Sequence, residues 1–182
     1  MRPEGYHLNT KAGPTGEPGL FYDYVMAGNG LFVRAQGPLL GAMVCIAPAR
    51  VRGLMPLEEK VELTKGRIPR YIEHLAIRIL TTDRYREQFL AVTWDGEYRL
   101  EEPPQEGSRG GVTYVRLPNT VMDIHSHGDM RAFFSWTDNR DEQGLRLYMV
   151  VGRLDTLIPE IDIRLGVYGY FAPLLIEDVF EK

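Results

Sequence analysis

Apolar residues occur mostly in short alternating or continuous runs, and one segment stands apart. Ile68, Ile72, Leu75 and Ile79 recur at steps of four, three and four. That spacing puts them on one helix face and predicts a helix over residues 67–82. Pro69 sits near its start, where a missing N–H costs least. Strand signals dominate elsewhere. In "LFYDYVMAGNGLFVRAQGPLLGAMVCIAPARV" the apolar runs are broken by Gly-Asn-Gly and Gly-Pro, which predicts two or three strands joined by turns. In "REQFLAVTWDGEYRL" two β-rich runs flank Asp95-Gly96, the signature of a hairpin with a type I′ turn. "VTYVRL", "TVMDIHSH", "LRLYMVVGRL" and "EIDIRLGVYGYFAPL" read as further strands. "TDNRDEQG" predicts a short helix ended by Gly144. "LIEDVFEK" reads as a terminal helix or a fraying tail. Residues 1–19 and the stretch "EEPPQEGSRGG" are rich in Gly and Pro, so a loose arm and a loop are expected. The loop, just before the motif strands, could act as a lid.

The order is then a β-layer, a helix, a hairpin, two strands, a short helix and more strands. This predicts an α+β fold: a mixed, mostly antiparallel sheet flanked by helices. Residues 1–56 form an N-terminal arm and β extension, and residues 57–182 the main domain. No internal repeat is visible.

Composition narrows the chemistry. With 44% apolar and 25% charged residues, the chain is that of a soluble globular protein. A net charge of -4 argues against a nucleic-acid partner held on a basic face. The single cysteine, Cys45, excludes an intrachain disulfide and a thiolate-rich zinc site. Its run "AMVCIA" makes it a buried structural thiol. No window approaches the ~18 apolar residues of a membrane span. The first residues lack the apolar stretch of a signal peptide. A cytoplasmic location, with no membrane partner, is expected.

The candidate chemistry lies in "DIHSHGDMRAFFSWTD", Asp123 to Asp138. On a strand, residues two apart face the same way, so His125 and His127 point together with Ser126 opposite. Two imidazoles on one face suit zinc, which takes about four ligands and in catalytic sites keeps one for water. Asp138 follows His127 by eleven residues, so the chain can turn and return it. Ser135 begins the short helix, with Asp138 one turn on. Asp123 shares the histidines' face and could orient an imidazole. Met130, Phe133, Phe134 and Trp136 lie near the site and read first as core packing, second as substrate contacts. His7 and His74 have no ligand spacing. Rival zinc signatures fail, since a His-Glu-X-X-His helix and a Pro-Cys-X-X-Cys run are both absent.

His-Ser-His, seven residues, then Ser-X-X-Asp resembles the JAMM motif of the JAB/MPN metallopeptidases, prokaryotic stand-alone type. The resemblance covers roughly residues 65–155 by order of elements and implies an MPN or cytidine-deaminase-like core. It implies one catalytic zinc on His125, His127 and Asp138, with water as fourth ligand, and Ser135 near the oxyanion. It also implies an upstream glutamate as general base, at the start of the strand after the first long helix. Glu87 holds that place, while Glu97 past the turn and Glu73 inside the helix fit less well. Where the family often has proline after the second histidine, this chain has Gly128. The implied activity is hydrolysis of a peptide or isopeptide bond after the tail of a ubiquitin-like or sulfur-carrier protein. Two alternatives stay open. One is a catalytically silent MPN-type scaffold, and the other a hydrolase of a small amide.

Overall fold

The computed structural model describes residues 2–108 and 110–182. Met1 of the expected arm and Arg109 of the expected loop lie outside the described residues. Fourteen strands and three helices occur among the described residues, so strand dominates the mixed α and β content. No helix among them is long and apolar enough to cross a membrane.

The chain divides into two compact units. The first comprises residues 1–65 with 143–145 and 166–172. Its sheet contains β1 (Glu4–Thr10), β2 (Gly13–Glu17), β3 (Tyr22–Ala27), β4 (Gly30–Gln36), β5 (Leu40–Pro48) and β6 (Lys60–Leu63), ordered β2-β1-β3-β4-β5-β6. The expected loose arm is therefore two strands. Strand β1 runs parallel to β3, with Tyr6 opposite Tyr24, and antiparallel to β2. The glycines that read as loop serve close packing instead. A Cβ on Gly5 would meet Asp23 Oδ1 at 2.2 Å and the Gly19 nitrogen at 2.4 Å. Val25, Ala27 and Phe32 form a buried cluster, and Cys45 packs on it half-buried, less enclosed than its apolar run suggested. His7 is buried 3.4 Å from Asp23, itself bound by Arg34.

The second unit comprises residues 66–142, 146–165 and 173–182. Its one long helix, α1 (Arg70–Thr82), buries Ile72, Glu73, Ala76 and Leu80. The buried face is thus rotated from the expected one: Leu75 is 40% exposed, and small Ala76 takes the inner position. Glu73 tolerates burial because Arg70 lies 2.5 Å away. After α1 come β7 (Phe89–Trp94) and β8 (Tyr98–Glu101), paired antiparallel. Three residues, Asp95 to Glu97, connect them, with Gly96 at φ +77°. The turn is one residue longer than the two-residue type I′ loop expected.

The stretch expected as a loop contains β9 (Gln105–Ser108), which pairs with β10 (Gly111–Tyr114) as a small two-stranded sheet. Then follow β11 (Thr120–Ser126), α2 (Trp136–Asp141), β12 (Leu145–Gly152), β13 (Glu160–Val167) and β14 (Tyr170–Leu174). The second large sheet has the order β14-β13-β12-β11-β7-β8. β11 is central, antiparallel to β7 and parallel to β12. Helix α2 stops at Glu142, not Gly144. Helix α3 (Ile176–Val179) is a single turn, and the tail does not fray. Phe180 is fully buried, and backbone bonds join Ile68 to Val179 and Glu181.

Candidate metal centre

Alternation along β11 aims Asp123, His125 and, just past its end, His127 to one side. All three line one cavity of about 330 Å³. Ser126 faces away and is fully buried. It has a task there: its backbone N–H donates to the Gln88 carbonyl, and its hydroxyl accepts from the Gln88 N–H, both at 3.0 Å. The Gln88 side-chain amide in turn donates to the Leu80 and Asp83 carbonyls at the end of α1. This latch sets Glu87, next in the chain, at the cavity wall. The Glu87 N–H donates to the Ser108 carbonyl of β9.

Asp138 arrives through local capping. Ser135 is the N-cap of α2, and its hydroxyl accepts from the Asp138 N–H at 3.2 Å. Asp138 Oδ2 accepts from the Ser135 N–H at 2.5 Å, completing a capping box. The other oxygen, Oδ1, lies 3.5 Å from His125 Nε2. One ligand atom from each of His125, His127 and Asp138 falls within 4.8 Å of the others. Glu87 and Ser135 line the same cavity.

The donor set fits a cation. His125 Nε2 and His127 Nδ1 are buried without a hydrogen-bond partner, and orphaned polar atoms of this kind are costly unless something binds them. Burial pushes the His125 imidazole down to about 4 against the pull of Asp138. Burial also lowers His127. Both rings are therefore neutral near pH 7, the form that ligates metal. Burial, then the charge of Asp138, raises the Glu87 carboxyl to about 7.

Two glycines let the loop after His127 take its path, and only one stood out in the sequence. Gly128 has φ +57°, a left-handed conformation closed to proline. Gly152 closes β12 beneath the loop. A Cβ there would meet the Ala132 nitrogen at 2.4 Å and the Met130 carbonyl oxygen at 2.5 Å. Those neighbours are backbone and cannot swing aside. Gly152→Ala is expected to destabilise the fold by at least the ~1–3 kcal/mol typical of overpacking, lowering the melting temperature, and to weaken metal binding. An unchanged melting curve would show that the loop yields freely.

Asp123 does not reach an imidazole. It is buried and accepts from Arg146 Nη1 at 2.8 Å. The aromatic segment is not core either. Met130, Phe133 and Trp136 are 47%, 45% and 73% exposed. Met130 and Phe133 border the cavity, and the Phe133 ring centre lies 4.7 Å from that of His127. His74 is exposed on α1. Sequence reasoning missed Arg164, whose guanidinium sits 3.7 Å from the centre of Phe134, a ring edge-on to His125.

No curated protein matches the chain. The family model for prokaryotic homologs of the JAB domain matches residues 81–163, which contain Glu87, both histidines, Ser135 and Asp138. This segment, rather less than half of the chain, is similar to the prokaryotic JAB domain.

Proposed function

We propose that the protein is a zinc-dependent hydrolase of a peptide or isopeptide bond, cutting after the extended tail of a ubiquitin-like or sulfur-carrier protein. The observation that carries this reading is the gathering of His125, His127 and Asp138 within 4.8 Å, on a cavity that Glu87 and Ser135 also line. Bound there, zinc would supply Lewis acidity, polarising a carbonyl and bringing the pKa of water towards ~7.

The chain's own groups divide the remaining work. His125 and His127 offer neutral nitrogens, and Asp138 offers the oxygen its capping box leaves over. Glu87, as carboxylate, accepts a proton from attacking water and returns it to the departing amine. The Ser135 hydroxyl accepts from α2 through its oxygen. Its own proton stays available to the developing oxyanion. Gly111, Val112 and Tyr114 of β10 border the cavity, and β9 is the only strand paired with β10 among the described residues. An extended tail could add to the other edge of β10 by main-chain hydrogen bonds. Exposed Met130 and Phe133 would hold its apolar groups.

The test gives zinc-supplied protein a ubiquitin-like protein extended by a peptide beyond its Gly-Gly terminus, and separately a small amide. Mass spectrometry follows release. Cleavage of the extended protein supports the reading, and cleavage of the small amide alone moves the substrate class. If both stay intact with zinc bound, the chain is a silent JAB-type scaffold. Ser135→Ala should lower kcat/KM by about 10²–10³ at unchanged zinc content. Should zinc content fall instead, Ser135 acts as a cap and not at the oxyanion.

A further inference from the structure

Helix α2 carries Asp138, yet it has six residues and buries none of them. Apolar packing therefore cannot fix its position, and an isolated helix of this length is unstable in water. Its N-terminal end is tied by the Ser135–Asp138 capping box. Its C-terminal end is tied chiefly from β13. Arg164, 7% exposed, donates through Nε at 2.9 Å and Nη2 at 2.5 Å to Glu142 Oε2. Its Nη1 donates to Asn139 Oδ1 at 2.5 Å. The same guanidinium lies over Phe134, whose ring meets His125 at 6.4 Å between centres. Glu142 is also buried, at 8% exposure. A weaker tie runs from Arg116 Nη2 to the Asp141 carbonyl at 3.0 Å.

We infer that Arg164 is a positioning residue: with Glu142 and Asn139 it clamps α2 so that Asp138 is held in place beside His125. Arginine suits the task because its rigid fork spans two acceptors and its flat face stacks on a ring. The inference deepens the proposed metal reading and rests on it only for the effect on metal affinity.

The test uses the full chain. Arg164→Lys keeps the charge and loses the fork, and Asn139→Ala removes one exposed acceptor. Removing Arg164 alone would strand the Glu142 carboxylate and could unfold the chain. A double variant, Arg164→Leu with Glu142→Leu, removes both charges together, which buried pairs often tolerate. Cobalt(II) titration, read by its visible absorption, gives affinity and ligand geometry. Amide exchange over residues 136–142 of the metal-free protein reads the helix without any metal.

Loss of an outer partner to a metal site typically costs about 10–100-fold in affinity. That loss, with an altered cobalt spectrum, is expected for the double variant, and a smaller one for Arg164→Lys. Exchange in α2 should rise while β11 stays protected. Unchanged exchange in the double variant overturns the clamp. Raised exchange with unchanged cobalt affinity overturns its role in placing Asp138. A wild-type chain that takes no cobalt or zinc sinks the hydrolase reading instead, and the exchange data still decide on the clamp.

Discussion

His127→Ala is expected to strip the purified protein of zinc, from about one ion per chain to a small fraction, and to abolish hydrolysis. The ring is buried and its Nδ1 has no other partner. Its removal leaves His125 and Asp138, too few for a catalytic zinc site with three protein ligands. The loss should exceed the ~10–100-fold that follows removal of an outer partner. Elemental analysis and a competing chelator give the two numbers. His74→Ala, on the exposed face of α1, is the control and should hold as much zinc as the parent. If the His127 variant kept a full complement, the triad would not be the metal site.

Glu87→Gln should behave oppositely: zinc retained, and kcat/KM down by about 10²–10⁴, the range of a lost general base. Glutamine keeps the shape and cannot take a proton. The rate should also fall on acidification. Glu87 works deprotonated, and burial with the nearby Asp138 charge raises its carboxyl to about 7 in the metal-free chain. A cation on the triad would stabilise the carboxylate and move this limb lower. The acidic limb of kcat/KM should therefore lie at or below pH 7 and disappear in the glutamine variant. A variant as fast as the parent, with the limb intact, would remove Glu87 from the proton transfer.

The gathering of His125, His127 and Asp138 was legible because two simple periods place them. Steps of two along β11 align the histidines, and one turn of α2 separates Ser135 from Asp138. Strand β1 was not legible, because its glycines read as flexibility when they mark close approach to Asp23 and to the Gly19 backbone. The inner face of α1 was misjudged because alanine at 76 carries a weak apolar signal, and Arg70 lets Glu73 go inside. Arg164 could not be found from pattern at all. Its partner Glu142 lies 22 residues earlier, and no local period connects β13 to the end of α2.

The parallel pairing of β11 with β12 has a consequence for how the chain folds. A parallel pair needs a crossover, and here residues 127–144, bearing Ser135 and Asp138, are that crossover. His125 stands opposite Val150 in the native alignment. A slip of β11 by one residue would turn both imidazoles to the opposite surface of the sheet. Misaligned chains could then hold no ion, and an ion binding only the aligned form favours it by about 2.7 kcal/mol at a hundred times its dissociation constant. On the proposed reading, a metal ion supplied during refolding would thus act as a proofreader of strand alignment before it took any part in chemistry.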